Sequence, residues 1–280
     1  MNQLPPIVST SWLAQQQAQT PALKLVDVRY YLDGRSGHQA FLDGHLPGAI
    51  FVDLEHVLSS PGSPQDGRHP MPPPAVFAAG LGAAGIAESD PVVAYDDLGG
   101  MVAGRLVWML RILGVHAALL DGGLAAWSGN RETGPGQPAS PVPRRPQPWP
   151  SAAMASADEV AAHIEAGGVV ADSRAAERYR GEHEPVDPRA GHIPGAINLP
   201  FGANLDQDHR FRPAGELAAR FEAAGADPAT IFYCGSGVSA CHNVLAMEAA
   251  GLGRPRLFVG SWSAWSSDSQ RPIATVEGSC

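Results

Sequence analysis

Cysteine is scarce in this sequence. Only three cysteines occur in 280 residues, Cys234, Cys241 and Cys280, and none of them forms a Cys-x-x-Cys pair. The sequence therefore indicates neither a disulfide framework nor a zinc site of the common spacing. A small, odd set of thiols instead favours one nucleophilic cysteine among bystanders.

Excess positive charge and long apolar runs are missing as well. The chain carries 19 lysine and arginine residues against 28 aspartate and glutamate residues, a formal net charge of -9. Such a field repels polyanions, so we expect no nucleic-acid or membrane partner. No apolar run approaches the ~18 residues of a membrane helix, and the first residues lack the basic and apolar regions of a secretion signal. We therefore expect a cytoplasmic protein.

The two halves of the chain repeat one another. The first half carries four landmarks: LVDVR (25–29), GHLPGAI (44–50), VVAYD (92–96) and DGGLAAW (121–127). The second half carries their counterparts in the same order: VADSR (170–174), GHIPGAI (191–197), IFYCG (231–235) and VGSWSAW (259–265). Four ordered landmarks at a nearly constant offset predict two copies of one domain.

We place the first domain at residues 1–130 and the second at 151–280. Residues 131–150 between them are rich in proline, which predicts a semi-extended linker without regular helix or sheet. Within each copy, short apolar runs alternate with amphipathic segments. This alternation is typical of an α/β domain with a mainly parallel sheet flanked by helices on both faces. Active residues are then expected in loops at the carboxyl ends of the strands.

The segment around Cys234 is the strongest candidate for chemistry. An apolar run over 230–233 leads into Cys-Gly-Ser-Gly-Val-Ser, residues 234–239, and a helix is predicted to follow. Gly235 and Gly237 allow a tight curl that directs several backbone N–H groups at one point, and we expect Cys234 at the mouth of this cradle. The amides and the helix dipole would favour a thiolate there. The plainer alternative, a small buried cysteine after a strand, stays open.

We assign no catalytic role to the other two cysteines. Cys241 lies inside the predicted helix and is interpreted as a core or half-buried residue, whereas Cys280 is the last residue of the sequence and is expected to be mobile.

The segment CGSGVSACHN, with DSR and GHIPGAIN upstream and GSWSAW downstream, resembles the tandem-domain rhodanese superfamily and, more narrowly, the 3-mercaptopyruvate sulfurtransferases. The resemblance covers nearly the whole chain. It implies that Cys234 takes the outer sulfur of a donor as a persulfide and passes it to cyanide, a thiol or a thioredoxin-like acceptor. It implies no metal or organic cofactor. Asp96 stands where the second domain has Cys234, so the first domain matches a catalytically silent copy.

The resemblance also bears on the donor. Relatives that prefer thiosulfate carry basic residues after the cysteine, whereas this chain has Gly235 and Ser236, which favours 3-mercaptopyruvate. Residue-by-residue matching assigns Arg178 to the donor carboxylate, for which a guanidinium fork is suited. A second family arginine is missing from EPVDPRAG, and Arg189 lies nearby but out of register. The loop residues expected to contact substrate are Gly235, Ser236, Gly237, Val238 and Ser239.

A proton relay is implied by the same matching. Ser236 matches the family's serine, His69 its histidine and Glu55 its acid, where relatives have aspartate. A histidine can exchange a proton near pH 7 as pyruvate enolate leaves. An exposed loop histidine among prolines is the alternative reading of His69.

Several conspicuous residues occur in both copies, including the silent one, and are therefore interpreted as architectural. They are Asp27, His45 and Trp127 in the first half, and Asp172, His192 and Trp265 in the second.

The cysteine loop has three alternative interpretations. A phosphatase loop of the C-x5-R type needs an arginine at its end, where this chain has Ala240, so that class is not supported. A thiosulfate:cyanide sulfurtransferase and a non-catalytic rhodanese-type binding or redox-sensing module both remain open at this point.

Overall fold

The computed structural model describes residues 4–137 and 140–276, and Cys280 lies outside them. The chain divides into two compact units. The first comprises Met1–Ser60, Met71–Pro150 and Gln207–Phe211; the second comprises Pro61–Pro70, Ser151–Asp206 and Arg212–Cys280. Each unit thus includes a short segment from the other half of the sequence, which the repeat pattern did not predict.

The first unit contains a five-stranded parallel sheet in the order β1-β5-β4-β2-β3. The strands are β1 (Ile7–Val8), β2 (Lys24–Asp27), β3 (Ile50–Phe51), β4 (Val92–Tyr95) and β5 (Ala117–Leu120). The helices are α1 (Thr10–Gln19), α2 (Gly37–Asp43), α3 (Pro74–Ala83) and α4 (Ala103–Ile112), with a 3-10 turn at Gly123–Ala126.

The second unit repeats this topology in the order β6-β10-β9-β7-β8. Its strands are β6 (Met154–Ala155), β7 (Val170–Asp172), β8 (Ile197–Asn198), β9 (Ile231–Tyr233) and β10 (Arg256–Phe258). Its helices are α5 (Ala157–Glu165), α6 (Ala176–Arg180), α7 (Ala214–Ala223), α8 (Ala240–Ala249) and α9 (Ser261–Ser267), with 3-10 turns at Ser151–Ala153 and Phe201–Asn204. The predicted α/β fold is confirmed in both copies.

Local sequence explains where the elements begin. Ser9 and Ser36 cap α1 and α2 by accepting a backbone N–H, and Ser156 forms a capping box with Glu159 at the start of α5. The central strands β4 and β9 are buried along their whole length, as continuous apolar runs between two helical layers require.

The features shared by both copies are structural, as predicted. Asp27 binds the Arg29 guanidinium at 2.8 Å, and Arg29 also donates to the Gly44 carbonyl. Asp172 and Arg174 form the same pair at 2.6 Å in the second unit. Each pair is almost completely buried and fixes the loop that follows its strand.

The two histidines of the repeated block serve the backbone. Nδ1 of His45 is hydrogen-bonded to the carbonyl of Phe41, and Nδ1 of His192 to that of Tyr179, each at 2.8 Å. His45 stacks on the Phe41 ring, and His192 on the Tyr179 ring. Trp127 and Trp265 likewise each donate from the indole nitrogen to a nearby carbonyl.

The described residues of the proline-rich stretch form no regular helix and no named strand, and they are hydrogen-bonded within the first unit. Within its described residues, the Val142 N–H donates to the Gly82 carbonyl and the Arg144 guanidinium to the Ala87 carbonyl. Trp149 packs on Phe77 and donates to the Pro72 carbonyl.

Across the described chain, no helix is both long enough and apolar enough to span a membrane.

Asp27→Ala should lower the free energy of unfolding by roughly 3–5 kcal/mol, because it leaves the buried Arg29 guanidinium without its counter-charge. Urea unfolding followed by circular dichroism measures this. The matched control is Asp33→Ala, since Asp33 pairs with Arg35 at the same spacing but both side chains are exposed. We expect almost no change in that control; equal losses in the two variants would contradict the prediction.

Candidate active site

The cysteine loop, residues 234–239, connects β9 to α8. Cys234 donates its N–H to Oγ of Ser261 at 3.1 Å, and its carbonyl accepts the N–H of Trp262 at 3.0 Å. The Gly235 carbonyl accepts the N–H of Ser263 at 2.9 Å. The start of α9 thus holds the first two carbonyls of the loop and turns the chain immediately after the strand.

The Cys234 side chain is buried rather than open to solvent. It is 1% exposed, and residues 231–238 are buried as well. This burial fits the plainer alternative of a small cysteine packed after a strand. It does not exclude a position at the amide cradle, because the residues of the loop are buried with the thiol.

The two glycines of the loop serve different purposes. Gly237 has φ +74°, and a Cβ there would lie 2.4 Å from the Val259 carbonyl oxygen, so only glycine fits without a shift of the backbone. Gly235 has no positive φ. A Cβ at Gly235 would instead lie 3.0 Å from Nη2 of Arg68 and 3.4 Å from Nη1 of Arg178. The distance to Arg68 is shorter than an ordinary contact, so a side chain at 235 would require that guanidinium to move.

Several backbone N–H groups of the loop are unused. Within the described residues, the N–H groups of Ser236, Val238 and Ala240 donate to no acceptor in the protein. Gly235 and Ser239 also have no backbone acceptor there. These donors all lie between the thiol and the first turn of α8, where a helix favours negative charge.

The equivalent loop of the first unit already contains an anionic group. The Asp96 carboxylate, completely buried, accepts the N–H groups of Leu98, Gly100, Val102 and Ala103 at 2.7 to 2.9 Å. Burial raises the pKa of Asp96, and these four hydrogen bonds oppose that rise. The fold therefore gathers amides around the group that follows the central strand.

His69 and Ser236 are brought together within the second unit. Nδ1 of His69 lies 2.8 Å from Oγ of Ser236, and both side chains are buried. The segment 61–70 is held in this unit by a hydrogen bond from the Arg68 N–H to Oγ of Ser263. Gly67, with φ +82°, permits close approach to the Gly260 carbonyl.

The arginine cluster, defined as Arg68, Arg174, Arg178, Glu184 and Asp187, lies beside Gly235. Arg178 contacts Glu184 at 2.6 Å and Asp187 at 3.2 Å, and Arg68 binds the other oxygen of Asp187. Arg174 contacts Glu184 at 3.1 Å. Burial acts to raise the pKa of Glu184, but hydrogen bonds, chiefly from Arg178, leave it lowered, whereas burial raises the pKa of Asp187.

Arg189, predicted as a substrate arginine, contacts a different part of the second unit. The Arg189 guanidinium donates to four backbone carbonyls, those of Trp265, Ser266, Asp268 and Arg271, so it holds the end of α9 and does not serve as a substrate arginine. This corrects the assignment of Arg189 to substrate binding, because its donors are already engaged.

The remaining candidates are placed as follows. Glu55 lies in the first unit, exposed, with the Tyr30 hydroxyl 3.4 Å from its carboxylate. Cys241 is completely buried in α8, as predicted, and its thiol contacts the Gly237 carbonyl.

Within the described residues, no group of three or more His, Cys, Asp and Glu side chains is arranged to hold a metal ion.

Sequence reasoning missed Arg68, Glu184 and Asp187. Arg68 directly precedes His69, so the relay assignment already pointed at its segment. The alternating charges of RYRGEHEPVDPR, residues 178–189, were a second signal, since acidic and basic side chains at such density pair with one another.

Comparison with known proteins finds the same domain in each half of the sequence. A family model described as Rhodanese-like domain matches residues 9–130 and again 156–268. A Pseudomonas aeruginosa protein provisionally named 3-mercaptopyruvate sulfurtransferase is 43% identical over 264 residues, which cover 91% of this chain and 93% of the relative. SseB of Mycobacterium tuberculosis, provisionally named a thiosulfate sulfurtransferase, is 42% identical over 260 residues, covering 90% of each chain.

A solved structure agrees with these relatives. The 3-mercaptopyruvate sulfurtransferase from Leishmania major superposes with a TM-score of 0.81 at 34% identity, covering 95% of this chain and 75% of that chain. Relatives of nearly equal similarity are thus named for two different sulfur donors.

Proposed function

The chain belongs to the rhodanese family of sulfurtransferases, and on that premise we propose that it moves sulfur from 3-mercaptopyruvate to a thiophilic acceptor through a persulfide on Cys234. The non-catalytic binding module considered above loses its support, because the relatives are named as enzymes.

One observation carries the persulfide proposal. In the first unit, carboxylate oxygens two bonds from Cβ of Asp96 accept the N–H groups of Leu98, Gly100 and Val102. The outer sulfur of a Cys234 persulfide is also two bonds from Cβ. The unused N–H groups of Ser236, Val238 and Ala240 are at the corresponding positions along the second loop. A terminal sulfur anion on Cys234 would therefore have the same kind of amide environment as the Asp96 carboxylate.

The chemistry is a double displacement. The Cys234 thiolate attacks the sulfur of mercaptopyruvate; the Cys–S–S bond forms, the carbon–sulfur bond breaks, and its electron pair leaves with the pyruvate enolate. A proton then converts the enolate to pyruvate. In the second half, the acceptor attacks the outer sulfur, and the electron pair of the S–S bond returns to Cys234. No electron is gained or lost overall, so no redox cofactor is required.

His69 and Ser236 are suited to the proton step. Their 2.8 Å hydrogen bond lies in the cysteine loop itself, and a serine hydroxyl can pass a proton between an imidazole and a leaving enolate. We assign Glu55 to the same relay as the acid that orients His69, on the strength of its matched position in the sequence.

The donor assignment follows from the charge around the loop. The side chains at 235 and 236 add no positive charge, and the positive groups beside Gly235 are paired with Glu184 and Asp187. A nearly neutral site suits the single carboxylate of mercaptopyruvate better than doubly charged thiosulfate. Arg178 is the residue assigned to that carboxylate. Thiosulfate:cyanide transfer is the second candidate, favoured by the name of the SseB relative.

We assign the acceptor role to cyanide, a small thiol or a thioredoxin-like protein, each of which is thiophilic. A cytoplasmic location fits an enzyme that depends on a free thiolate, since thiols stay reduced in that compartment.

Incubation with mercaptopyruvate should add the mass of one sulfur atom to the protein, located on the peptide that contains Cys234. Intact-protein and peptide mass spectrometry measure this, with cyanide expected to remove the added mass. Cys234→Ser should lose both the adduct and turnover, whereas Cys241→Ser, the matched buried-thiol control, should keep both. Inactivation by Cys241→Ser alone would overturn the site assignment.

With cyanide as the common acceptor, kcat/KM for mercaptopyruvate should exceed that for thiosulfate by about tenfold or more, equivalent to about 1.4 kcal/mol of transition-state discrimination. Steady-state kinetics on the two donors measure the ratio. Equal or reversed preference would establish the thiosulfate alternative and leave the fold and nucleophile unchanged.

His69→Asn should lower kcat with mercaptopyruvate by roughly 10²-fold, because the enolate loses its proton donor. Thiosulfate releases sulfite and forms no enolate, so its kcat should change much less. His56→Asn is the control, since His56 is an exposed histidine bonded to Asp53 in the first unit. Equal losses with both donors would show that His69 supports the loop and not the proton step.

A further inference from the structure

A serine in a strained backbone conformation is bonded directly to the nucleophile. Ser261, the first residue of α9, has φ +54°, in the left-handed region that favours glycine. Within the described residues, His209 is the only other residue besides glycines with a positive φ. Ser261 is completely buried. A residue held in such a conformation inside a protein requires contacts that compensate for the strain.

The hydroxyl of Ser261 makes these contacts. It donates to the Phe258 carbonyl at 2.9 Å and accepts the N–H of Cys234 at 3.1 Å. The hydroxyl thus joins the ends of β10 and β9, the neighbouring strands that lead into α9 and into the cysteine loop. Because Cys234 is buried, its N–H needs an acceptor within the protein, and Oγ of Ser261 is that acceptor.

The first unit indicates that the fold itself needs no side chain at this position. In the repeat, Gly123 is the counterpart of Ser261, and its φ is nearly the same, +52°. A Cβ on Gly123 would lie 2.2 Å from the carbonyl oxygen of Asp96. The copy without a nucleophile therefore has glycine there. The copy with Cys234 has serine, in a conformation that glycine adopts more easily.

The start of α9 also orients the peptide units of the cysteine loop. The N–H groups of Trp262 and Ser263 donate to the carbonyls of Cys234 and Gly235, respectively. In a trans peptide unit, the N–H points away from the C=O. The N–H groups that share these two peptide units, those of Gly235 and Ser236, therefore point away from α9. The Ser236 N–H is one of the unused donors that we assign to the outer sulfur.

We infer that Ser261 is a positioning residue for the nucleophile: its hydroxyl fixes the Cys234 amide and, with it, the peptide units whose N–H groups stabilise the thiolate and the persulfide. Glycine at 261 would relieve the strain but would leave the Cys234 amide free to turn. Serine is needed there despite the strain, because glycine supplies no hydroxyl. This inference rests on the proposed function, since it concerns the same cysteine.

Ser261→Gly separates this role from a merely structural one. We expect kcat with mercaptopyruvate to fall by about tenfold and KM to stay within about twofold, because the sulfur loses oriented amides whereas the donor contacts are unchanged. The acid limb of the pH profile of kcat/KM should move up by about one unit, since a less stabilised thiolate has a higher pKa. The thermal unfolding midpoint should change little, because relief of the backbone strain offsets the lost hydrogen bonds.

Ser261→Ala keeps the Cβ and the strain but lacks the hydroxyl. It should lose as much kcat as Ser261→Gly, and its unfolding midpoint should lie below that of the glycine variant. Ser267→Ala is the matched control, because Ser267 lies in the same helix and its hydroxyl donates to the Ser263 carbonyl at 2.7 Å rather than to the cysteine loop. It should leave kcat, KM and the pH profile unchanged.

Steady-state kinetics with cyanide as acceptor across the pH range, together with thermal unfolding of the full-length proteins, measure these effects. A folded Ser261 variant that keeps the wild-type kcat and pH profile, or that changes KM alone, overturns the inference. If one of the two variants does not fold, the other decides the question. Wild-type protein that uses neither mercaptopyruvate nor thiosulfate overturns the proposed function instead, so the two failures are distinguishable.

Discussion

Convergence of backbone N–H groups after a central parallel strand is the constraint on which both copies depend. A strand that ends inside the protein must turn at once into a helix, and the amides of that turn need an acceptor. In the first unit the chain supplies one, the Asp96 carboxylate, with four hydrogen bonds. In the second unit Cys234 occupies the same place, and the thiol alone leaves the amides of Ser236, Val238 and Ala240 unused. The same architecture is thus filled by a carboxylate in the first unit and has unused N–H groups in the second.

Much of the fold could be predicted from the sequence, because the repeat and the apolar periodicity are both local patterns. The helix predicted to follow the cysteine loop is observed at Ala240–Ala249. The architectural roles of His45 and Asp172 were also predictable, since the same residues recur in a copy that lacks the nucleophile.

Three features of the site could not be read from the sequence. The burial of Cys234 depends on side chains that cover it, and no periodicity describes those. Gly235 has no positive φ, so the expected backbone role is absent there, and a Cβ at this position would instead lie 3.0 Å from the guanidinium of Arg68, which comes from a distant segment. Arg189 lies near the place of the missing family arginine in the sequence, but its guanidinium turns to the carbonyls at the end of α9. In each case the deciding contact is long-range.

The composition of the units has a consequence for truncation of the chain. Residues 61–70, which carry Arg68 and His69, belong to the compact unit that contains Cys234, and residues 207–211 belong to the other. A cut between the two halves of the sequence would therefore remove from each compact unit a segment that belongs to it. The second half alone would lack the segment whose His69 lies 2.8 Å from Ser236. The repeat divides the sequence in two, but the compact units do not divide at the same place.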